Sequence, residues 1–269
     1  MTIPYITAKQ QEIPKLIYKF RFLNRLQIQT LLNHNYHKRI IDWLNDLVKK
    51  DYLEKLPKDN TFEQRSKPTI YRIGINGIRF LSIQDDCYEE IIKKLYKDKN
   101  RSDGFINQCI FLCDIYLSLI KNDVNNDKTI YKITTNSDFV NSNSYFHFLK
   151  ELNPDLVYKE TKKIKSRSTH TYNLLTVFET TLPRYSIRKT LRNYFVFYQS
   201  SEWENETRKT FPIILFICPT KSEHIYAKRY AKKLLQDYQN PTDLHVQFAT
   251  ASEVEKLGVT SSEIWEEVK

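Results

Sequence analysis

The chain has 269 residues, of which 41% are hydrophobic and 13% aromatic, so it has the composition of a folded protein with one large or two modest domains and not of a disordered tail. Its formal net charge of +10 favours a polyanionic partner, either a nucleic acid or an anionic surface. The first ten residues lack the apolar core of a signal peptide, and apolar runs such as residues 213–218 are too short to span a bilayer. We therefore expect a cytoplasmic protein with no membrane partner.

The cysteines and histidines do not form a recognisable metal or disulfide pattern. Cys87, Cys109, Cys113 and Cys218 have no paired spacing of the kind that zinc sites use, and Cys109 and Cys113 lie four apart in an apolar run. We expect them to be core residues.

The first fifty residues predict three helices. A capping box, Thr7 with Gln10, opens an apolar helical stripe in which Pro14 is expected to cause a break. A second box, Asn24 with Gln27, opens a short helix. A third helix is predicted to begin near Asn35 and to end near residues 51–52.

Two strand-like pieces follow the third helix, at residues 53–56 and 69–73, and a polar, basic loop joins them. Three helices followed by a two-stranded ribbon is the order of a winged helix, in which the third helix enters the major groove and the ribbon loop reaches phosphates or the minor groove. We place this domain at residues 1–83.

The candidate DNA-binding residues follow from that order. The start of the third helix carries a polar and basic group of side chains: Asn35, Tyr36, His37, Lys38 and Arg39. The ribbon loop supplies three further cations: Lys58, Arg65 and Lys67. Each could also belong to an ordinary solvated face, and winged helices also bind proteins.

A polar segment at residues 97–104 marks the predicted domain boundary. We expect residues 84–103 to form a helical linker and residues 104–269 to form the second domain, beginning with a buried helix at 105–121. In the second domain, helices are predicted at 145–152, 186–199 and 222–237, strands at 129–135, 154–158, 170–178, 211–218 and 243–249, a basic turn at 159–168, and an acidic surface helix after residue 252. This alternation predicts an α/β domain with a mixed central sheet.

Two carboxylates stand at strand ends in the second domain. Asp155 follows Pro154 at the start of one strand, and Glu179 follows the next strand, so both could meet around a divalent ion such as Mg²⁺ and cleave phosphodiesters. The usual Lys two residues after the second acid is replaced by Thr181, and Lys189 or Arg188 of the following helix could substitute for it. Because that position is lost, we rank a structural or vestigial use of Asp155 and Glu179 above catalysis.

Three N-terminal stretches, residues 22–32, 43–53 and 71–81, resemble the plasmid replication-relaxation family. The second half is similar to the same family through Asp155, Glu179 and a helix with Lys189, Arg192 and Tyr194. The resemblance implies a restriction-endonuclease-like second domain of the PD-(D/E)XK type and no cofactor beyond a divalent cation. Its departure after Glu179 makes a degenerate catalytic site the expectation.

The resemblance implies a DNA-binding protein of a plasmid or mobile element that acts in replication initiation, DNA relaxation or mobilisation. Such a protein would bind specific duplex DNA and recruit a relaxase or replication protein, and a homodimer reading two half-sites is compatible with the pattern. Two alternatives remain open: a magnesium-dependent endonuclease using Asp155 and Glu179, and a winged-helix scaffold or transcription regulator that contacts other proteins.

Overall fold

The computed structural model of the chain describes residues 3–57, 67–125, 129–164, 167–239 and 241–268. It divides into two compact units, residues 1–117 and 118–269.

The first unit opens with three helices: α1 Ala8–Phe20, α2 Arg25–Leu31 and α3 His37–Lys49. Both predicted capping boxes are present, at Thr7 and at Asn24. Helix α1 passes through Pro14 without a break. Pro14 itself is buried, as are Ile13 and Ile17, and this tertiary packing compensates for the backbone hydrogen bond that Pro cannot donate.

A small antiparallel sheet completes the winged-helix arrangement. Its strands are β1 Leu23–Asn24, β2 Leu53–Lys55 and β3 Ile70–Ile73, in the order β1-β3-β2. Leu53 pairs with Ile73 across the ribbon, and Leu23 pairs with Tyr71 on the other side. The predicted three helices and ribbon are therefore confirmed.

Glycine is needed where the ribbon meets the next helix, α4 Ile75–Leu81. A Cβ on Gly74 would collide with the carbonyl oxygen of Asp51, and one on Gly77 would collide with the carbonyl oxygen of Tyr52. The Gly-Ile-Asn-Gly segment thus allows α4 to lie directly against the turn between α3 and β2.

Residues 84–103 are part of the first unit and not a separate linker between units. Helix α5 Glu89–Tyr96 buries Ile91, Ile92 and Leu95, and the backbone N–H of Tyr88 donates to the hydroxyl of Tyr18. A short 3-10 turn, Asp98–Asn100, follows.

The division between units falls inside the long helix α6 Asp103–Asn125, beyond the polar segment that was expected to mark it. The first half of α6 packs on the first unit: Ile106 and Cys109 cluster with Phe22, and Gln27 donates to the carbonyl oxygen of Ile110. Within the described residues, Asp103–Asn122 is long and apolar enough to cross a membrane, with 33% of its most apolar window buried. Core helices of soluble proteins share these properties, so the chain is compatible with a soluble protein.

The second unit is built on a six-stranded mixed sheet. Its strands are β4 Thr129–Thr135, β5 Leu156–Ile164, β6 Arg167–Val177, β7 Ile213–Cys218, β8 Val246–Thr250 and β9 Glu266–Glu267, in sequential order. The strands β4, β5 and β6 form an antiparallel meander, β7 and β8 continue parallel to β6, and β9 closes the edge antiparallel to β8. The helices are α7 Arg184–Gln199, α8 Glu202–Thr207, α9 Lys221–Asp237 and α10 Ala251–Leu257. This arrangement confirms the expected α/β class with a mixed central sheet.

Three local predictions in this unit are wrong. The basic turn expected at 159–168 is mostly strand, because residues 159–164 pair one to one with residues 167–172 in the antiparallel β5–β6 hairpin. The helix expected at 145–152 is only a 3-10 turn, His147–Lys150. The acidic C-terminal helix is the short α10 followed by β9, which pairs with the otherwise open edge of β8.

An aromatic core holds α7 and α8 on the sheet. Trp203 is fully buried and stacks on Phe146 with ring centroids 5.9 Å apart. Phe216 of β7 contacts Tyr194 of α7 and Phe248 of β8 at centroid distances of 5.1 and 5.3 Å. Because α7 buries Ile187, Leu191 and Tyr194 in this core, its opposite face is directed to solvent.

Candidate nucleic-acid interface

The N-terminal end of α3 presents the five predicted residues, and all of them are exposed: Asn35, Tyr36, His37, Lys38 and Arg39. Tyr36, which caps the helix, exposes 73% of its surface and makes no side-chain capping bond. The first turn of α3 contains no acidic residue. The positive end of the helix dipole and the cations therefore add at this position, which favours an anion.

The cations at the start of α3 have no described carboxylate beside them. Among the described residues, none lies within ion-pair distance of His37, Lys38 or Arg39. In contrast, Lys50 lies 2.8 Å from Asp46, and this hydrogen bond is the main cause of the lowered pKa of the Asp46 carboxyl.

Aromatic contacts position the segment that leads into α3. The backbone N–H of Tyr36 donates to Nδ1 of His34 at 3.2 Å, and the His34 ring packs edge-on against Trp43 at 5.1 Å. His34 thus fixes the turn between α2 and α3.

The ribbon supplies the second part of the predicted interface. Lys67 is exposed and lies just before β3. Lys58 and Arg65 lie outside the described residues. At the base of the ribbon, Nε of Arg72 donates to Glu54 at 3.0 Å across the β2–β3 pair, so that cation is already neutralised.

Asp155 immediately precedes β5, and both its backbone and its side chain form hydrogen bonds with β6. Its backbone N–H donates to the carbonyl oxygen of Leu175, and its Oδ2 accepts a 2.8 Å hydrogen bond from the N–H of Val177. Burial raises the pKa of Asp155 to about 7, and the Val177 N–H partly opposes that rise.

Glu179 and Lys189 occupy different places. Glu179 follows the end of β6, partly buried, and accepts a 2.5 Å hydrogen bond from the hydroxyl of Thr181, the residue that replaces the usual Lys. Lys189 is exposed on α7, on the side away from Leu191. Val177, whose N–H bonds Asp155, stands two residues before Glu179, whereas Lys189 belongs to the following helix.

A magnesium ion held by Asp155 and Glu179 would share these carboxylates with hydrogen bonds that the protein already makes. One oxygen of each carboxylate already accepts a hydrogen bond from the protein, from the Val177 N–H at Asp155 and from the Thr181 hydroxyl at Glu179. In the described parts of the chain, no group of three or more His, Cys, Asp or Glu residues is placed to hold a metal ion.

A second basic surface lies on the outer face of α7. A shallow pocket of about 400 Å³ is lined there by Tyr185, Arg188, Lys189, Arg192 and Asn193. Sequence reasoning considered Lys189 and Arg188 only as substitutes for a catalytic Lys. The sequence does contain four cations and no acid between residues 184 and 192, which indicates a basic surface. Only the buried stripe of α7 shows that these cations face solvent.

The fold is that of a winged-helix protein with an exposed basic helix start, followed along the chain by an α/β unit with a mixed six-stranded sheet. The model of the replication-relaxation family matches residues 15–214, and the chain belongs to that family. The predicted resemblance is therefore confirmed.

Other comparisons add little. No curated protein matches the chain. Among solved structures, the crystal structure of T. acidophilum IdeR is similar at 13% identity, with 63% of this chain and 91% of that chain covered, but the TM-score is 0.21. A TM-score of that size does not support a shared fold.

Proposed function

We propose that this protein binds duplex DNA of a plasmid or other mobile element and acts in its replication. The observation that carries the proposal is the exposed, unneutralised cationic start of α3 on a winged helix. Membership of the replication-relaxation family supports the biological setting.

In this proposal α3 enters the major groove with its N-terminal end first. Asn35 and Arg39 have the donor geometry that reads base edges, and Lys38 contacts phosphate. Lys58, Arg65 and Lys67 of the ribbon contact the backbone beside the groove. The second unit is proposed to serve as a degenerate nuclease-like domain that contributes contacts to a relaxase or replication protein.

The test uses the full chain and a duplex selected from a random pool by the wild-type protein. Lys38→Ala together with Arg39→Ala should weaken binding and reduce the steepness of the salt dependence by about 1, because the variant removes the phosphate contact of Lys38 and each phosphate contact contributes about 0.9 to the slope. Neither side chain has a carboxylate partner among the described residues, so the fold should not change.

The matched control is Lys93→Ala with Lys94→Ala, an adjacent cation pair of the same unit. Glu89 and Glu90 already neutralise these lysines at 2.8 and 3.3 Å, so the control should bind as the wild type does. Equal affinity of the α3 variant and the wild type would remove α3 as the reading helix. Absence of salt-dependent binding by the wild type would favour the protein-interaction alternative.

A further inference from the structure

The outer face of α7 has a charge pattern that the winged-helix function does not explain. The helix carries four basic residues and no acidic residue, and the basic residues fall within its first nine positions. Arg184, Arg188 and Arg192 are spaced four apart, so they form one row of about 12 Å along the helix.

This pattern is unfavourable for the helix itself. Cations at a helix N-terminus oppose its dipole, and like charges four residues apart repel one another. No described carboxylate lies within ion-pair distance of Arg184, Arg188, Lys189 or Arg192. A bound polyanion would remove both unfavourable contributions.

Helix α9 holds two of these arginines in place. The guanidinium of Arg184 donates to the Ser222 hydroxyl at 3.1 Å and lies 4.9 Å from the ring centroid of Tyr226. One turn farther along α9, Arg192 donates to the hydroxyl of Tyr230 and packs over its ring. Fixed arginines lose less side-chain entropy when they bind a ligand.

Tyr185 adds an aromatic surface to the row. Its side chain is 62% exposed and lines the same pocket as Arg188, Lys189 and Arg192, with Asn193 at the edge. An exposed ring among cations offers a stacking platform for a base next to contacts for its phosphates. Bases inside a duplex are already stacked on one another, so this combination suits a single strand.

We propose that the α7 surface, formed by Arg184, Tyr185, Arg188, Lys189, Arg192 and Asn193, binds single-stranded DNA. The phosphates contact the arginine row and Lys189, and one base stacks on Tyr185. The α7 surface consists of residues other than those proposed for duplex binding at the start of α3. In this proposal Lys189 contacts the DNA backbone.

The experiment measures binding of a fluorescent thymidine oligonucleotide, which forms no duplex, to the full chain carrying Lys38→Ala and Arg39→Ala. In that background Arg188→Ala with Lys189→Ala should lower affinity at least tenfold at low salt. The control is Lys162→Ala with Lys163→Ala, another adjacent and exposed cation pair of the same unit. Retained affinity in the α7 variant, or an equal loss in the control, would overturn the proposal.

Two variants of Tyr185 test the stacking contact. Tyr185→Ala should weaken oligonucleotide binding about fivefold or more, because stacking of one base on an aromatic ring contributes that much or more. Tyr185→Phe keeps the aromatic ring and should bind the oligonucleotide as tightly as the protein with Tyr185 does. An unchanged affinity in Tyr185→Ala, or equal competition by a duplex of the same length, would overturn the single-strand assignment.

Failure of this site and failure of the proposed function give different results. The α3 variant is read out on duplex DNA and the α7 variants on single strands. If the α3 variant keeps duplex binding, the assignment of α3 is wrong. If the α7 variants keep single-strand binding, the assignment of the α7 surface is wrong.

Discussion

The Asp155 carboxylate accepts a 2.8 Å hydrogen bond from the backbone N–H of Val177, and so joins the start of β5 to the end of β6. Tyr194 of α7 lies close enough for the charge of Asp155 to raise the pKa of its phenol, after burial as the main cause, and its hydroxyl bonds Thr176 at 2.6 Å. Asp155 is thus a buried acid within a strand junction.

The stability of the protein should depend on pH through Asp155. Its pKa rises from 3.8 to about 7 on folding because of burial, so its contribution is fully present below pH 4 and is lost as the pH rises through 7. Each pKa unit corresponds to about 1.4 kcal/mol, which makes the loss on the order of a few kcal/mol. Urea unfolding of the wild type at constant salt should show this decline.

Asp155→Asn is the informative variant, because Asn stays neutral and its side-chain oxygen can still accept from Val177. It should lack the decline in stability that the wild type shows as the pH rises through 7. Asp155→Ala removes the acceptor and should be less stable at every pH. Parallel pH curves for the wild type and Asp155→Asn would contradict the assignment.

Supercoiled plasmid tests the endonuclease alternative directly. Since Thr181 stands where the usual Lys would be and Asp155 is buried with one oxygen bonded to Val177, we expect salt-sensitive binding without nicking in the presence of magnesium or manganese. Gel electrophoresis of the plasmid after incubation is the measurement. Nicking that needs the metal and disappears in Glu179→Ala would establish the alternative, whereas nicking that persists in that variant would point to a contaminant or another site.

His224 should produce the opposite pH dependence. Its side chain is 1% exposed, neither ring nitrogen has a hydrogen-bond partner among the described residues, and burial lowers its pKa, with Lys221 acting in the same direction. The unfolded chain therefore takes up the proton first, and stability should fall as the pH drops below about 6.5.

Calorimetry between pH 5 and 7 can isolate this effect. His224→Phe keeps a flat ring near Phe248 and cannot titrate, so its melting temperature should change less with pH than that of the wild type. A variant that follows the wild-type curve would show that another group governs acid stability.

An ion pair in the first unit should matter for stability. Nε of Arg21 donates to Asp98 at 3.2 Å, and Asp98 is 1% exposed. Burial raises the pKa of Asp98 although Arg21 and Arg101 lower it. Arg21→Ala would leave the carboxylate buried without its main partner and should cost about 3–5 kcal/mol in unfolding free energy.

The companion variant Asp98→Asn removes the buried charge and leaves Arg21, which is 18% exposed, partly solvated. It should destabilise the protein less than Arg21→Ala in urea titration. Lys93→Ala, which removes an exposed ion pair with Glu89, should have no measurable effect. If Arg21→Ala and Asp98→Asn lower the free energy of unfolding equally, the unpaired buried charge is not the cause of the destabilisation.

The amino-acid sequence by itself determined the local features of this protein. Each capping box, Thr7 with Gln10 and Asn24 with Gln27, acts within one helical turn, so its pattern predicts the helix start directly. The winged-helix order and the family could be recognised for the same reason, since they depend on elements that follow one another along the chain.

The tertiary structure alone decided what depends on distant parts of the chain. Asp155 and Glu179 both stand at strand ends, but only the register of β5 on β6 shows that the Asp155 carboxylate bonds the Val177 N–H. Lys189 could have faced a catalytic site, and only the buried side of α7 shows that it faces solvent with Arg188. Burial and strand pairing bring together residues far apart in sequence, and local patterns do not contain that information.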